Sequence, residues 1–95
     1  MSKLRKAARG RPCMVRLPGC DGGGETTVAA HYRLAGLCGI GQKSPDAIAA
    51  HACYSCHQKI DFRESLEGWS REEIRLAHCE GVLRTFDALQ REGIL

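Results

Sequence analysis

The residues best suited to chemistry are cysteines and histidines. In the stretch "ACYSCHQKID", Cys53 and Cys56 are separated by two residues, His57 follows directly, and Asp61 lies four residues beyond it. A C-x-x-C pair is compatible with a zinc knuckle, a redox dithiol or half of a disulfide framework. Cys13 and Cys20 form a second, wider pair, and Pro18-Gly19 between them has the residue types of a type II turn that would fold Cys20 back toward Cys13. Four thiolates are a donor set for tetrahedral zinc, and the x2 spacing lets one tight turn aim both sulfurs at a common point. The redox alternative needs its motif at a helix start inside a parallel βαβ sheet, a pattern this sequence lacks. Cys38 remains open as a ligand in place of Cys13 or Cys20, whereas Cys79 reads as a buried small hydrophobe.

His57 and Asp61, at i and i+4 after the knuckle, fall on one helical face. Such a pair can hold a divalent ion facing His31, which sits in the strand-like run "TTVAAHYRL". Taken singly, each has an ordinary structural reading, because histidines often cap helices and an aspartate in a first turn complements the helix dipole. His51 reads as a strand-surface residue and His78 as part of an amphipathic helix, so neither is placed in the site.

These residues need elements to position them. The chain has 95 residues, six cysteines, eleven glycines and few aromatics, which describes one small domain with a modest core and a crosslink or metal as a staple. No apolar run is long enough to span a bilayer, and "MSKLRKAARGRP" lacks a secretory h-region, so a soluble, cytoplasmic protein with no membrane partner is expected. A reducing compartment disfavours disulfides.

Net charge is +3, but residues 1 to 16 hold Lys3, Arg5, Lys6, Arg9, Arg11 and Arg16 and no acid. Residues 1 to 11 are therefore read as a basic arm, with Lys3, Arg5, Lys6, Arg9 and Arg11 as candidates for contacting a nucleic-acid backbone; a solvated terminus is the plain alternative.

Residues 12 to 95 are expected to form a single α+β domain. "PCMVRLPGC" suggests a short strand, "TTVAAHYRL" a second, and "DAIAAHAC" a third. "SCHQKIDFRESLEG" has the polarity of a helix ending at Gly68. Ser70 and Glu73 form a Ser-x-x-Glu capping box opening a long helix over about 70 to 92, closed by Gly93. On that helix Leu76, Cys79, Leu83 and Phe86, widened by Val82 and Leu89, make an apolar stripe available to the core or to a homodimer.

The combination "VAAHYR", a glycine-rich loop and "KSPDAIAAHACYSCHQKID" resembles the HNH nucleases of the ββα-metal class. With "LRKAARGRPC" and "RLAGLCG" included, most of the chain is similar to the small prophage-encoded YbcO-type nucleases. The resemblance implies a zinc-stabilised, treble-clef-like ββα core at about 26 to 67 and hydrolysis of DNA phosphodiesters. It implies that His31 acts as general base, that His57 holds a catalytic Mg2+, Mn2+ or Zn2+ ion, and that Asp46 stands where the family's asparagine orients the base. Ala30 occupies a position where many members carry a further metal ligand, and Asp61 is the residue able to compensate. Beside the metal-dependent endonuclease stands a different class of function, a non-catalytic zinc-stabilised DNA-binding or adaptor protein.

Overall fold

The computed structural model describes residues 3–34, 36 and 45–95. Its elements in chain order are helix α1 (Lys3–Ala8), strands β1 (Val28–His31) and β2 (Ala49–Ala52), helix α2 (Tyr54–Ile60) and helix α3 (Arg71–Arg91). This is an α+β arrangement with a two-stranded antiparallel sheet, in which Val28 pairs with Ala52, Ala29 with His51, Ala30 with Ala50 and His31 with Ala49. The expected first strand at "PCMVRLPGC" is absent. In its place are an isolated bridge between Pro12 and Gly23 and a single hydrogen bond from the Met14 amide to the His51 carbonyl. Arg16 has φ 61°, which turns the chain out of an extended path. The Pro18-Gly19 turn forms as its residues predict: Gly19 has φ 84° and the Cys20 amide donates to the Leu17 carbonyl at 2.9 Å.

Helix α2 ends well before Gly68. Asp61 is its C-cap, and Phe62 adopts φ 58°. The Phe62 amide donates to Lys59 and the Arg63 amide to Gln58, the paired bonds of a Schellman motif. That motif usually places glycine where Phe62 stands, so no residue type announces the stop. The Arg71 guanidinium lies over the Phe62 ring, 4.2 Å from its centroid, and helps hold this backbone. Helix α3 starts as predicted, with both reciprocal bonds of the Ser70–Glu73 box present, and closes at Gly93, φ 76°.

The face of α3 that packs inward overlaps the expected stripe only at Leu89 and Val82. Buried are Ile74, His78, Gly81, Thr85 and Leu89, while Leu76, Leu83 and Phe86 are 59%, 64% and 44% exposed and Cys79 is only half-buried. The reason lies in the two-stranded sheet, whose outward backbone groups require partners. The His51 amide donates to Thr85 Oγ1 at 2.9 Å, Thr85 donates on to the Gly81 carbonyl, and His78 Nε2 lies 2.9 Å from the Ala30 carbonyl. Polar and small side chains serve that interface better than leucine. Gly81 makes the approach possible, since a Cβ there would stand 3.0 Å from Val15 Cγ2 and 3.2 Å from Ala50 Cβ. His51 and His78 are thus core residues, correcting their reading as surface and ordinary helix positions. Burial pushes both imidazoles below their usual range toward the neutral form.

The basic N-terminal residues include helix α1, which is docked on the domain. Ala8 is buried, α1 packs on β1, and the Gly10 amide donates to the Gly24 carbonyl at 3.0 Å.

Candidate metal centre and active-site groove

The cysteines meet as the two-pair reading requires. The sulfurs of Cys13, Cys20, Cys53 and Cys56 all lie within 4.8 Å of one another. Zn–S bonds of about 2.3 Å in a tetrahedron set neighbouring sulfurs about 3.8 Å apart, and Cys20 and Cys53 Sγ are separated by 3.7 Å. Backbone amides already point at the sulfurs: Leu17 donates to Cys56 at 3.4 Å, Cys56 to Cys53 at 3.4 Å, and Gly22 to Cys20 at 3.3 Å. The bonds from Leu17 and Gly22 favour the thiolates of Cys56 and Cys20. A hydrogen bond from the Cys56 thiol draws Cys13 toward the thiolate, while the same pairing pushes Cys56 up and burial pushes Cys20 up. Four sulfurs so placed resist ionising together without a cation, which is the donor chemistry a dication satisfies. The cluster is consistent with a structural zinc site. Cys38 lies outside the described residues.

The two knuckles are positioned by local structure. The Pro18-Gly19 turn returns Cys20, and Cys53 is the N-cap of α2 with Cys56 one turn in. Lys59, one turn further, is buried; its ammonium donates to Ser55 Oγ at 2.7 Å and lies where a Cβ on Gly19 would be 2.8 Å away. A cation is thereby set against the turn that carries Cys20, a feature that a lone lysine in a polar helix does not signal in sequence.

Past the knuckle, His57 Nε2 and Asp61 Oδ2 are 3.2 Å apart. Although Asp61 caps α2 rather than continuing it, the i, i+4 pairing is kept. His31 Nε2 and Asp46 Oδ1 are 2.6 Å apart, and Arg5 Nε donates to the same carboxylate oxygen at 3.3 Å. His31, His57 and Asp61 line one groove together with Arg5, Ala29, Arg33 and Arg63. Among the described residues only the four cysteines bring three or more metal-ligating atoms within 4.8 Å of one another, so His57 and Asp61 stand as a two-residue pair.

The basic residues of α1 are not uniformly directed at solvent. Lys3 and Lys6 are exposed, Arg9 faces Glu25 at 3.4 Å, and Arg11 makes a two-pronged ion pair with Glu92 that ties the start of the chain to its end. Arg5, Lys6 and Arg9 line an extension of the groove between α1 and β1. A neighbouring pocket shares His31, Arg33, Asp61 and Arg63 with this groove and is also lined by Arg71 and Arg75. None of these four arginines stands in a basic run, which is why sequence patterning passes over them.

A two-stranded sheet followed by a helix that carries half of a tetra-cysteine cluster, with a histidine-lined groove beside it, defines a small cysteine-stapled α+β domain. The family model described as "Putative nuclease YbcO" matches residues 2–94, and the chain belongs to that family. Two relatives, "Putative nuclease YbcO" of Escherichia coli (strain K12) and "Putative nuclease ybcO" of Enterobacteria phage 82, are each 49% identical over 98 residues, an alignment that covers 100% of this chain and 98% of the relative. A solved structure titled "Structure of a putative bacteriophage protein from Escherichia coli str. K-12 substr. MG1655" superposes with a TM-score of 0.76 at 40% identity, covering 96% of this chain and 100% of that one. Among the described residues no helix is long and apolar enough to cross a membrane.

Proposed function

We propose that this protein is a metal-dependent DNA endonuclease of the HNH type, built on a zinc-stapled ββα core. The observation that carries the reading is the pairing of His31 with Asp46 at 2.6 Å on the groove that His57 and Asp61 also line. A carboxylate accepting from Nε2–H holds the imidazole in the tautomer whose Nδ1 is free of a proton. Nδ1 of His31 would then take a proton from water as the water oxygen bonds to phosphorus and the P–O3′ bond breaks, the departing 3′ oxygen taking a proton from solvent to leave a 5′-phosphate and a 3′-hydroxyl. His57 and Asp61 would hold Mg2+, Mn2+ or Zn2+. A bound dication supplies countercharge for the phosphate and the departing oxygen. Cys13, Cys20, Cys53 and Cys56 would hold zinc whose binding energy is folding energy for a small core. The family's description, "Putative nuclease YbcO", supports the broader part of this reading, a nucleic-acid hydrolase.

The test is cleavage of plasmid and linear DNA by purified protein with each divalent ion, alongside His31→Ala. Metal-dependent nicking that His31→Ala abolishes, with the variant still folded, is expected. The pairing of His57 with Asp61 alone, and Ala30 ahead of His31, favour the second reading, a non-catalytic zinc-stabilised DNA-binding or adaptor protein. That reading is distinguished by salt-dependent DNA binding without turnover under every ion tried.

A further inference from the structure

Beyond His31 the groove acquires a second cationic wall. Arg33 follows β1, Arg63 follows α2, and Arg71 and Arg75 come from the start of α3, so three separate parts of the chain converge on one surface. The carboxylate lining the same stretch is Asp61, which faces His57 at 3.2 Å. Among the described residues none of the four arginines forms an ion pair.

Two of them are nevertheless held in place. The Arg71 guanidinium lies 4.2 Å from the Phe62 ring centroid, and that of Arg75 lies 4.7 Å from the Tyr32 ring centroid while donating to the Arg33 carbonyl at 3.0 Å. An aromatic face and a carbonyl orient a guanidinium without neutralising it, and each arginine keeps N–H donors in the fork geometry that matches phosphate. The placement carries an electrostatic cost. Arg71 opens α3, where the helix dipole favours acids over cations, and gathering four like charges adds repulsion. An oriented, unneutralised cluster beside the His31 groove is what a polyanion compensates.

We propose that Arg33, Arg63, Arg71 and Arg75 bind the phosphates of a nucleic-acid backbone flanking the one at His31. The inference rests on the nuclease reading and deepens it: the strand would run past His31 and His57 onto the arginine cluster. Direct readout of bases is not required, because guanidinium–phosphate pairing positions a strand without carrying sequence.

The experiment is equilibrium binding of a fluorescein-labelled DNA duplex, followed by anisotropy across a salt series in EDTA-free buffer with His31→Ala as the background to prevent cleavage. Removing one cation that neutralises a phosphate lowers the slope of log K against log salt by about 0.9. Arg71→Gln/Arg75→Gln should therefore flatten the slope by about 1.8, and Arg71→Lys/Arg75→Lys, which keeps the charge, should restore most of it. Since Arg71 and Arg75 also pack on aromatic rings, the exposed pair Arg33→Gln/Arg63→Gln provides an independent version with the same expected flattening. Unchanged slopes in both Gln pairs, with the parent binding DNA in a salt-dependent way, would overturn the arginine wall and leave the nuclease reading standing. Absence of salt-dependent binding by the parent would overturn both. Tighter binding of polyglutamate than of duplex DNA at equal charge would also overturn the assignment, since it would point to an acidic peptide.

Discussion

His31 and Asp46 are fifteen residues apart in the chain, yet their side chains meet at 2.6 Å across the groove. The Asp46 oxygen that faces the imidazole also accepts from Arg5, so α1 contributes to the position of the carboxylate. On the proposed mechanism, Asp46→Ala should lower kcat for DNA nicking by at least about 10–100-fold with KM little changed, the range seen when the hydrogen-bond partner of a metal-ligating histidine is removed. Asp46→Asn keeps an oxygen acceptor and should retain most activity. Steady-state nicking assays on the two variants check this, and equal loss in both would remove the orienting role.

The cysteine cluster makes a second prediction. Protein purified under reducing conditions should contain one zinc per chain by mass spectrometry of the metal. Cys56→Ser, at a fully buried position, should abolish that stoichiometry and leave the chain unfolded or melting far lower, because a structural zinc contributes about 10–16 kcal/mol of apparent binding energy that small domains use to fold. A Cys56→Ser protein that melts like the wild type would mean the cluster is not a metal centre.

His78 predicts acid sensitivity. Burial, the largest influence, lowers its pKa, as do Arg75 and His57, against opposing effects of the Ala30 carbonyl and Asp61. The unfolded state therefore binds the proton more readily, so the contribution to stability is present above the ordinary histidine pKa near 6.5 and is lost as pH falls below it. The slope from this one residue is at most about 1.4 kcal/mol per pH unit. Urea titrations at pH 7.5 and 5.5 should show the loss, and His78→Gln should reduce it.

Thr85 offers a test of why a polar face packs inward. Thr85→Val keeps the shape but leaves the buried His51 amide without its acceptor, at an expected cost of about 1–3 kcal/mol in urea unfolding. A neutral result would mean that the strand amide finds another partner.

Gly23 tests the loop that carries the first cysteine pair. At φ 87° a Cβ would lie 2.5 Å from the Cys13 amide nitrogen and 2.8 Å from the Arg11 carbonyl oxygen, both backbone atoms that have little room to yield. Gly23→Ala is expected to destabilise by roughly 2–4 kcal/mol and to weaken zinc retention, measured by competition with a chromophoric chelator.

Much of this protein was readable wherever a short stretch of chain decides its own geometry. The Pro18-Gly19 turn, the Ser70–Glu73 capping box, the Gly93 stop and the i, i+4 pairing of His57 with Asp61 depend on neighbours within one turn, and all four appear. Cysteine spacing likewise indicated which sulfurs meet. Less visible was the end of α2, because Phe62 occupies the left-handed position usually held by glycine and is steadied by Arg71 from another helix.

Hydrophobic periodicity alone marked Leu76, Cys79, Leu83 and Phe86, widened by Val82 and Leu89, as the apolar stripe of α3, and of these the tertiary structure buries Leu89, packs Val82 on the core and leaves Leu76, Leu83 and Phe86 exposed. A sheet of two alanine-rich strands leaves backbone donors and acceptors facing the helix, so Thr85, His78 and Gly81 are drawn inward beside Ile74 and Leu89, and Leu76, Leu83 and Phe86 remain outside. The sequence by itself determined the Pro18-Gly19 turn and the caps of α3 and marked the two cysteine pairs that meet. Only the tertiary structure decided which helix face is buried and which scattered arginines share a groove, because both depend on groups brought together from distant parts of the chain.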